Sequence, residues 1–330
     1  MIDLPLPPQH YETTIQEHRG SDWQFPVRLP PIRYVQSIYA QQECYFDMGG
    51  LGSSIWNFIH WVQPSPDEGY EEFDTDAFSQ YLTSLFTQMK TAGMDQIELS
   101  FAQLCDIDAY AAGDFSKISS NDIIGVLLEQ MVTSDVHFPE GTNLLSLITE
   151  TAAQQRMKTA LSFGGENAAP ADFTLCQSGE TPEGQAQKLV DIMQQYNISS
   201  VDFDVEGASA LALGQEEGIT TFFSTLYQAL AAQGKTATLT IQGSLTQTVW
   251  GTGTPAQGPS SYNGPLKSLF YNADNEPIFS SLFSGVNLML YDNGSKYYLD
   301  AKVYPDDTVI PDWCVEEWLD IVGSDNDPIV

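Results

Sequence analysis

Apolar positions along the chain follow two spacings in turn, one typical of helices and the other typical of strands. The clearest helical stretch is closed by Gly234 and carries apolar residues three or four positions apart, at Ile219, Phe222, Phe223, Leu226, Tyr227 and Leu230. Such stretches predict helices over 78–89, 123–131, 144–155, 182–193, 219–230 and 313–322. Runs rich in β-branched and aromatic residues predict strands over 54–63, 97–101, 158–163, 201–206, 236–242 and 285–291.

The predicted strands and helices alternate, which is the order of an α/β protein with a parallel sheet. No two predicted strands are close enough in sequence for a tight hairpin. The expected architecture is a TIM-type (β/α) barrel over 33–330, preceded by a proline-rich extension over 1–32. A closed barrel of this type has eight strands, so the seventh and eighth strands are missing after Asp292. A longer chain, a protein partner or a non-standard closure would complete the barrel.

The predicted strand at 201–206 carries an unusual row of carboxylates. Asp202, Asp204 and Glu206 alternate along it with apolar residues, and alternate side chains of a strand share one face. Carboxylates about 7 Å apart repel one another, so at least one is expected to shift toward its protonated form near neutral pH. A general acid requires such a shift. The row therefore indicates a catalytic strand, and the alternative is a metal-binding or purely structural acidic strand.

The charge of the chain argues against two classes of partner. With 44 acidic and 12 basic residues, the net charge is -32, which repels phosphate backbones and anionic lipids. Neither nucleic acid nor a membrane is therefore expected as a partner, and no run of about 18 apolar residues predicts a membrane span. Solubility or adaptation to acid is the simplest explanation of the charge itself.

The cysteines and histidines do not indicate a metal site, and no cofactor is expected. Cys44, Cys105, Cys176 and Cys314 are far apart, and the four histidines form no closely spaced pair. The N-terminal residues lack a basic segment followed by an apolar one, so no secretory signal peptide is predicted. A cytoplasmic location, export by another route and a processed mature form all stay open.

Two further motifs end predicted strands. They are Ser162-Phe163-Gly164-Gly165 after the third strand and Met289-Leu290-Tyr291-Asp292 after the sixth. Each alone is weak, because glycines in a turn are usually structural and many strands end in a turn. With S-x-G-G, D-x-D-x-E and M-x-Y-D in this order, the chain resembles the family 18 glycoside hydrolases, the chitinase family, over about 54–292. Bacterial chitinases and chitinase/lysozyme-type domains are the most similar members.

The resemblance implies a role for each matching residue. Glu206 matches the general acid that protonates the glycosidic oxygen, and Asp204 matches the residue that orients the acetamido N–H and stabilises the oxazolinium. Tyr291 would donate a hydrogen bond to the acetamido oxygen, and Asp202 would lie deeper and share charge and a proton with Asp204. The nucleophile would be the N-acetyl carbonyl oxygen of the substrate, so the chemistry needs no metal or cofactor.

Other residues are expected to contact the substrate. Met289 and Asp292 would line the acetamido subsite, and Gln242, at the end of the fifth predicted strand, faces the expected cleft. Trp250 lies in a connection over 243–284 that is rich in Gly, Ser and Pro. Its aromatic residues could stack on sugar rings or anchor the connection to its own domain, and the second interpretation is slightly favoured.

The expected activity is retaining hydrolysis of β-1,4-linked N-acetylglucosamine polymers, either chitin or chitooligosaccharides. The chain departs from the family where Ser199 and Ser200 replace an aspartate and a glycine, and where the tryptophan of the eighth strand has no counterpart. Trp313 and Trp318 fall in a predicted helix and are poor substitutes. Two alternatives stay open: a non-catalytic chitooligosaccharide-binding or assembly component, and an endo-β-N-acetylglucosaminidase that acts on N-glycans.

Overall fold

The structure is a computed structural model that describes residues 75–91, 95–119, 122, 124–125, 128, 143–165, 168, 179–242, 246–253, 257–289, 297–299, 302–304 and 322. The predicted extension over 1–32 and the first predicted strand at 54–63 lie outside the described residues. The predicted helix at 313–322 also lies outside them, apart from Val322, which is helical and buried.

Five parallel strands form the central sheet. They are β1 (Gln96–Ala102), β2 (Lys158–Gly164), β3 (Ser200–Val205), β4 (Thr236–Gln242) and β5 (Gly285–Met289). Each strand pairs with the next one along the chain, so the spatial order is β1-β2-β3-β4-β5. The second to sixth predicted strands and the α/β class are confirmed. Among the described residues the sheet is open, with β1 and β5 at its edges.

Helices connect the strands. They are α1 (Thr75–Thr91), α2 (Ile107–Ala112), α3 (Leu144–Gln154), α4 (Pro182–Gln195), α5 (Gly207–Gln215), α6 (Ile219–Ala231) and α7 (Lys267–Phe270). The helices predicted over 78–89, 144–155, 182–193 and 219–230 are confirmed as α1, α3, α4 and α6. Of the segment predicted as a helix over 123–131, residues 124, 125 and 128 are described, and they are helical. No helix within the described ranges is long and apolar enough to cross a lipid bilayer.

The ends of α4 and α6 show why these segments become helices. The Thr181 side chain accepts a hydrogen bond from the Gly184 backbone N–H, and Pro182 occupies the first helical position. After α6 the chain turns at Gly234, whose φ of 66° is in the left-handed region that glycine adopts easily. The Lys235 backbone N–H then donates to the Leu230 carbonyl, which satisfies one of the last carbonyl groups of α6.

The structure contains a hairpin that the sequence did not predict. The strands β6 (Tyr297–Leu299) and β7 (Lys302–Tyr304) pair antiparallel, separated by two residues. Each strand has three residues, which is too short for the alternation that identifies strands in a sequence. Within the described residues this hairpin forms its own two-stranded sheet and does not extend the central one.

The two faces of the central sheet differ in chemistry. One face is apolar and packs into the core that also contains α4 and α6, with buried positions at Leu161, Phe163, Val201, Phe203, Leu239 and Val286. The Phe203 ring lies at the centre of an aromatic cluster, with ring centroids 4.8 Å from Phe223 and 5.7 Å from Phe163. The opposite face is polar and carries the candidate site.

Candidate active site

The strand register brings the motif residues into two neighbouring rows on the polar face. In the first row Asp202 pairs with Ser162 of β2 and Thr238 of β4. The next row, one step closer to the carboxyl ends of the strands, pairs Asp204 with Gly164 and Thr240. Active sites of parallel α/β sheets lie beyond the carboxyl ends of the strands. The acidic row therefore runs toward the edge where a site is expected.

Asp202 is anchored by four neutral side chains from three strands. Its Oδ1 accepts hydrogen bonds from the Thr238 hydroxyl at 2.6 Å and the Asn287 amide at 3.1 Å. Its Oδ2 accepts from the Ser162 hydroxyl at 3.2 Å. The Thr240 hydroxyl lies 2.8 Å from Oδ2 and 2.9 Å from Oδ1. These donors satisfy the carboxylate without adding a positive charge, so they hold it in position and leave it able to take up a proton.

Burial raises the pKa of Asp202 to about 6. The carboxyl is 1% exposed, and loss of hydration disfavours its charged form. The hydrogen bonds from Thr238, Thr240, Ser162 and Asn287 act in the opposite direction and favour the carboxylate. The expected upward shift of one carboxyl in the row is therefore confirmed, but its main cause is burial rather than repulsion between carboxylates.

The three carboxyl groups become more accessible along the strand. Asp202 and Asp204 are 1% and 2% exposed, whereas Glu206 is half-buried at the junction between β3 and α5. Glu206 follows the last residue of β3, so it lies just beyond the part of the strand that pairs with its neighbours. This gradient leaves the aspartates enclosed and gives the glutamate access to a ligand.

The turn after β2 requires glycine at two consecutive positions. Gly164 and Gly165 have φ values of 115° and 89°, which residues with a Cβ rarely adopt. A Cβ on Gly165 would also lie 2.9 Å from the Phe101 ring. The Gly165 N–H donates to the Asp204 carbonyl oxygen at 3.0 Å. The S-x-G-G turn is thus fastened to the backbone of the acidic strand.

The structure describes only some of the other residues that were predicted to contact the substrate. Gln242 is the last residue of β4, is half-buried, and pairs with Met289 at the end of β5. The Met289 side chain, Tyr291 and Asp292 lie outside the described residues. Among the two serines that depart from the family motif, Ser200 begins β3 and is buried.

Trp250 is enclosed by its own connection. It ends a turn of π-helix at Thr246–Trp250, is 3% exposed, and its ring centroid lies 6.3 Å from that of Tyr262. Tyr262 in turn makes an edge contact with Tyr271 at 5.6 Å. This burial favours the interpretation in which the aromatic residues anchor the connection to the domain.

Sequence reasoning did not find the anchoring residues Thr238, Thr240 and Asn287. A signal existed on β4, because Thr238, Thr240 and Gln242 alternate with Leu239 and Ile241 and so form a polar row. Asn287 gave no such signal. It donates to both Asp202 and the Thr240 hydroxyl. Across the described ranges, no group of three His, Cys, Asp or Glu side chains has a geometry suited to a metal ion.

Among known proteins, the chain matches several solved structures. A GH18 chitinase from Pseudoalteromonas aurantia is 16% identical, with 61% of this chain and 60% of that chain covered and a TM-score of 0.35. A chitinase from Chromobacterium violaceum is 12% identical, with 77% and 62% covered and a TM-score of 0.38. A mutant of catalytic domain 2 of the Ostrinia furnacalis Group II chitinase, in complex with (NAG)5, is 16% identical, with 70% and 54% covered and a TM-score of 0.38.

The chain spans less than two thirds of the length of each of these structures. No protein-family model and no curated protein matches the chain. The identities are 12–16% and the TM-scores 0.35–0.38, so only the residues of the chain itself bear on its function.

Proposed function

We propose that the chain is a retaining glycoside hydrolase that cleaves β-1,4-linked N-acetylglucosamine polymers by substrate-assisted catalysis. One observation carries the proposal: a buried, hydrogen-bonded aspartate, a second buried aspartate and a more accessible glutamate follow one another at the carboxyl end of one strand. The first aspartate has a pKa near 6. Paired carboxyl groups with different environments are the basis of acid–base chemistry on glycosidic bonds.

The proposed reaction has two steps. In the first step Glu206 donates its proton to the glycosidic oxygen while the acetamido carbonyl oxygen of the substrate attacks the anomeric carbon, so the glycosidic bond breaks and an oxazolinium ion forms. Asp204 accepts a hydrogen bond from the acetamido N–H and stabilises the positive charge. In the second step Glu206 removes a proton from water, which attacks the same carbon and opens the oxazolinium ring. Two displacements retain the anomeric configuration.

Asp202 has a supporting role in this scheme. Its raised pKa allows it to carry a proton near pH 6, so the two buried aspartates can hold a single negative charge between them. That charge is then free to reside on Asp204 when the oxazolinium forms. The hydrogen bonds from Ser162, Thr238, Thr240 and Asn287 keep Asp202 in place in either protonation state, because hydroxyl groups can both donate and accept.

The substitution Glu206→Gln tests the proposal. Glutamine keeps the size of the side chain but cannot donate the acid proton, so turnover of a chromogenic chitobioside is expected to fall by about 100-fold or more. Glu183→Gln, on the exposed first turn of α4, removes the same charge away from the site and is the matched control. Equal turnover by the wild type and the Glu206→Gln variant would contradict the proposal.

Two measurements separate the alternatives. Binding of chitotetraose in a calorimeter, without release of product from the same sugar, would favour a non-catalytic binding component. Cleavage of an N-glycan core but not of chitotetraose would favour an endo-β-N-acetylglucosaminidase. The proposed activity predicts cleavage of chitotetraose.

A further inference from the structure

A glutamine outside the motifs contacts the S-x-G-G turn. Gln103 follows the last residue of β1 and is 1% exposed. Its side-chain amide donates to the Gly164 carbonyl oxygen at 2.9 Å. Burying a flexible polar side chain costs conformational entropy and hydration. Gln103 is nevertheless buried and donates its hydrogen bond to a backbone carbonyl at the end of β2, so we treat it as a structural part of that turn.

Gln103 is itself held by a buried carboxylate. Its backbone N–H donates to Asp122 Oδ2 at 2.9 Å. Asp122 Oδ1 accepts from the Tyr110 hydroxyl at 2.8 Å and from the Gly125 N–H at 2.6 Å. Asp122 is fully buried. Three donors from separate positions therefore fix one carboxylate, and that carboxylate fixes the backbone from which the Gln103 side chain extends.

The hydrogen bonds continue from the turn to the acidic strand. Gly165 follows Gly164 and donates to the Asp204 carbonyl oxygen at 3.0 Å. The path from Asp122 to Asp204 therefore consists of three hydrogen bonds, which are joined by Gln103 itself and by the peptide bond between Gly164 and Gly165. Neither glycine has a side chain that could fasten the turn, so the turn depends on its backbone partners and on Gln103.

We propose that Gln103, held by Asp122, is a positioning residue that fixes the Gly164–Gly165 turn against β3 and thereby sets the positions of Asp204 and Glu206. This inference rests on the proposed function for its catalytic consequence, although the positioning itself does not require turnover. Gln103 acts through the backbone and is not placed in contact with the substrate. A displacement of about 1 Å in a catalytic group can reduce a rate about 100-fold.

The first test compares Gln103→Met with Gln103→Glu. Gln103→Met removes the amide donor, so kcat for chitotetraose is expected to fall about 10- to 100-fold with little change in KM. The carboxyl introduced by Gln103→Glu can donate to Gly164 only when it is protonated, and burial at this position raises its pKa. Its activity relative to the wild type should therefore be low toward pH 9 and recover on acidification toward pH 5, whereas that of Gln103→Met should stay low throughout.

The control for general destabilisation is Thr151→Val in α3. Thr151 is buried and its hydroxyl donates to the Leu147 carbonyl, so the variant loses a partly buried hydrogen bond within α3. We expect it to lower stability and leave kcat unchanged. The inference would be overturned if both Gln103 variants kept wild-type kcat, or if Gln103→Glu showed no recovery relative to Gln103→Met.

A second readout is independent of turnover. The Gly165 amide hydrogen is protected by its bond to Asp204, and Gln103→Met is expected to speed its exchange with solvent at least 10-fold relative to amides in α4. Thr151→Val should leave that ratio unchanged. If the wild type turns over no substrate, the proposed function fails while this exchange experiment still tests the positioning role. Unchanged exchange at Gly165 in Gln103→Met would refute it.

Discussion

At the residue scale, the protonation of Asp202 depends on how it is enclosed. Burial raises its pKa to about 6, and hydroxyl and amide donors moderate the rise. Because the donors are neutral, the carboxyl keeps its ability to exchange a proton near pH 6. A lysine or arginine in the same place would have lowered the pKa and fixed the negative charge. The Thr, Ser and Asn side chains around Asp202 therefore hold its carboxyl in place without fixing its charge.

Removing one of these donors should shift the pKa further. Thr238→Val keeps the shape of the side chain and deletes the 2.6 Å bond to Asp202 Oδ1. Since the bond favours the charged form, its loss raises the pKa of Asp202 above about 6. Urea denaturation should show a loss of about 1.5–3 kcal/mol at pH 8, and a smaller loss at pH 4.5.

Thr151→Val is again the matched control, since its hydroxyl contacts a neutral carbonyl. Its cost should be about 1 kcal/mol at both pH values. If Thr238→Val also cost the same at both pH values, the bond would not discriminate between the two forms of Asp202.

The raised pKa also predicts how stability depends on pH. Folding raises the pKa of Asp202 from 3.8 to about 6, so the folded state binds this proton more tightly than the unfolded state. The stabilisation is complete below about pH 4 and is lost as the pH rises through about 6, with a total of about 3 kcal/mol. The Asp202→Asn variant has no carboxyl proton at this position, so it lacks this contribution to the pH dependence of stability.

The measurement is a series of urea denaturations between pH 4 and pH 7 on the wild type and Asp202→Asn. The stability of the wild type minus that of the variant should decrease with rising pH. An increase over the same range would mean that the pKa is lowered on folding.

At the element scale, the pattern of residues within one strand or helix predicted that element, whereas the side-chain contacts between strands could not be predicted. The period of two along β3 predicted the common face of Asp202 and Asp204, and the apolar residues that alternate with them include the buried Phe203. The anchoring by Asn287 depends on the register of β4 with β5, which no single segment encodes. Helix α5 was missed because its residues, Gly207–Gln215, are mostly small and apolar and form no distinct stripe.

The apolar side of β3 should determine the stability of the sheet. Phe203 is fully buried between β2 and α6, with rings of Phe163, Phe222 and Phe223 around it. Phe203→Ala should lower the free energy of unfolding by about 3–5 kcal/mol, because it leaves a cavity that the cluster fills only in part. The midpoint of urea denaturation measures the loss.

Leu211, on α5, is 51% exposed and provides the comparison. Leu211→Ala should change stability by about 0.5 kcal/mol or less. Similar losses for the two variants would mean that the aromatic cluster is not the main core of the sheet.

At the scale of the whole molecule, the described residues form an open parallel sheet with a polar face and a candidate site at the carboxyl ends of its strands. The full sequence has a net charge of -32. The alternation of helices and strands along the sequence predicted the α/β class. In the structure, each strand of the central sheet pairs with the next one along the chain. Barrel closure depends on pairing between distant segments, and it stays a prediction, as do the roles of Tyr291 and Asp292. The hydrogen bonds from Gln103 to the turn are tertiary contacts that local patterns do not reveal.

The most direct test of the proposed two-displacement hydrolysis is the configuration of the first product. Proton NMR during hydrolysis of chitotetraose by the purified chain distinguishes the anomers before mutarotation. The proposed two displacements predict that the β-anomer appears first, with Glu206→Gln releasing about 100-fold less product in the same time. Initial formation of the α-anomer, or equal release by the wild type and the variant, would contradict the account.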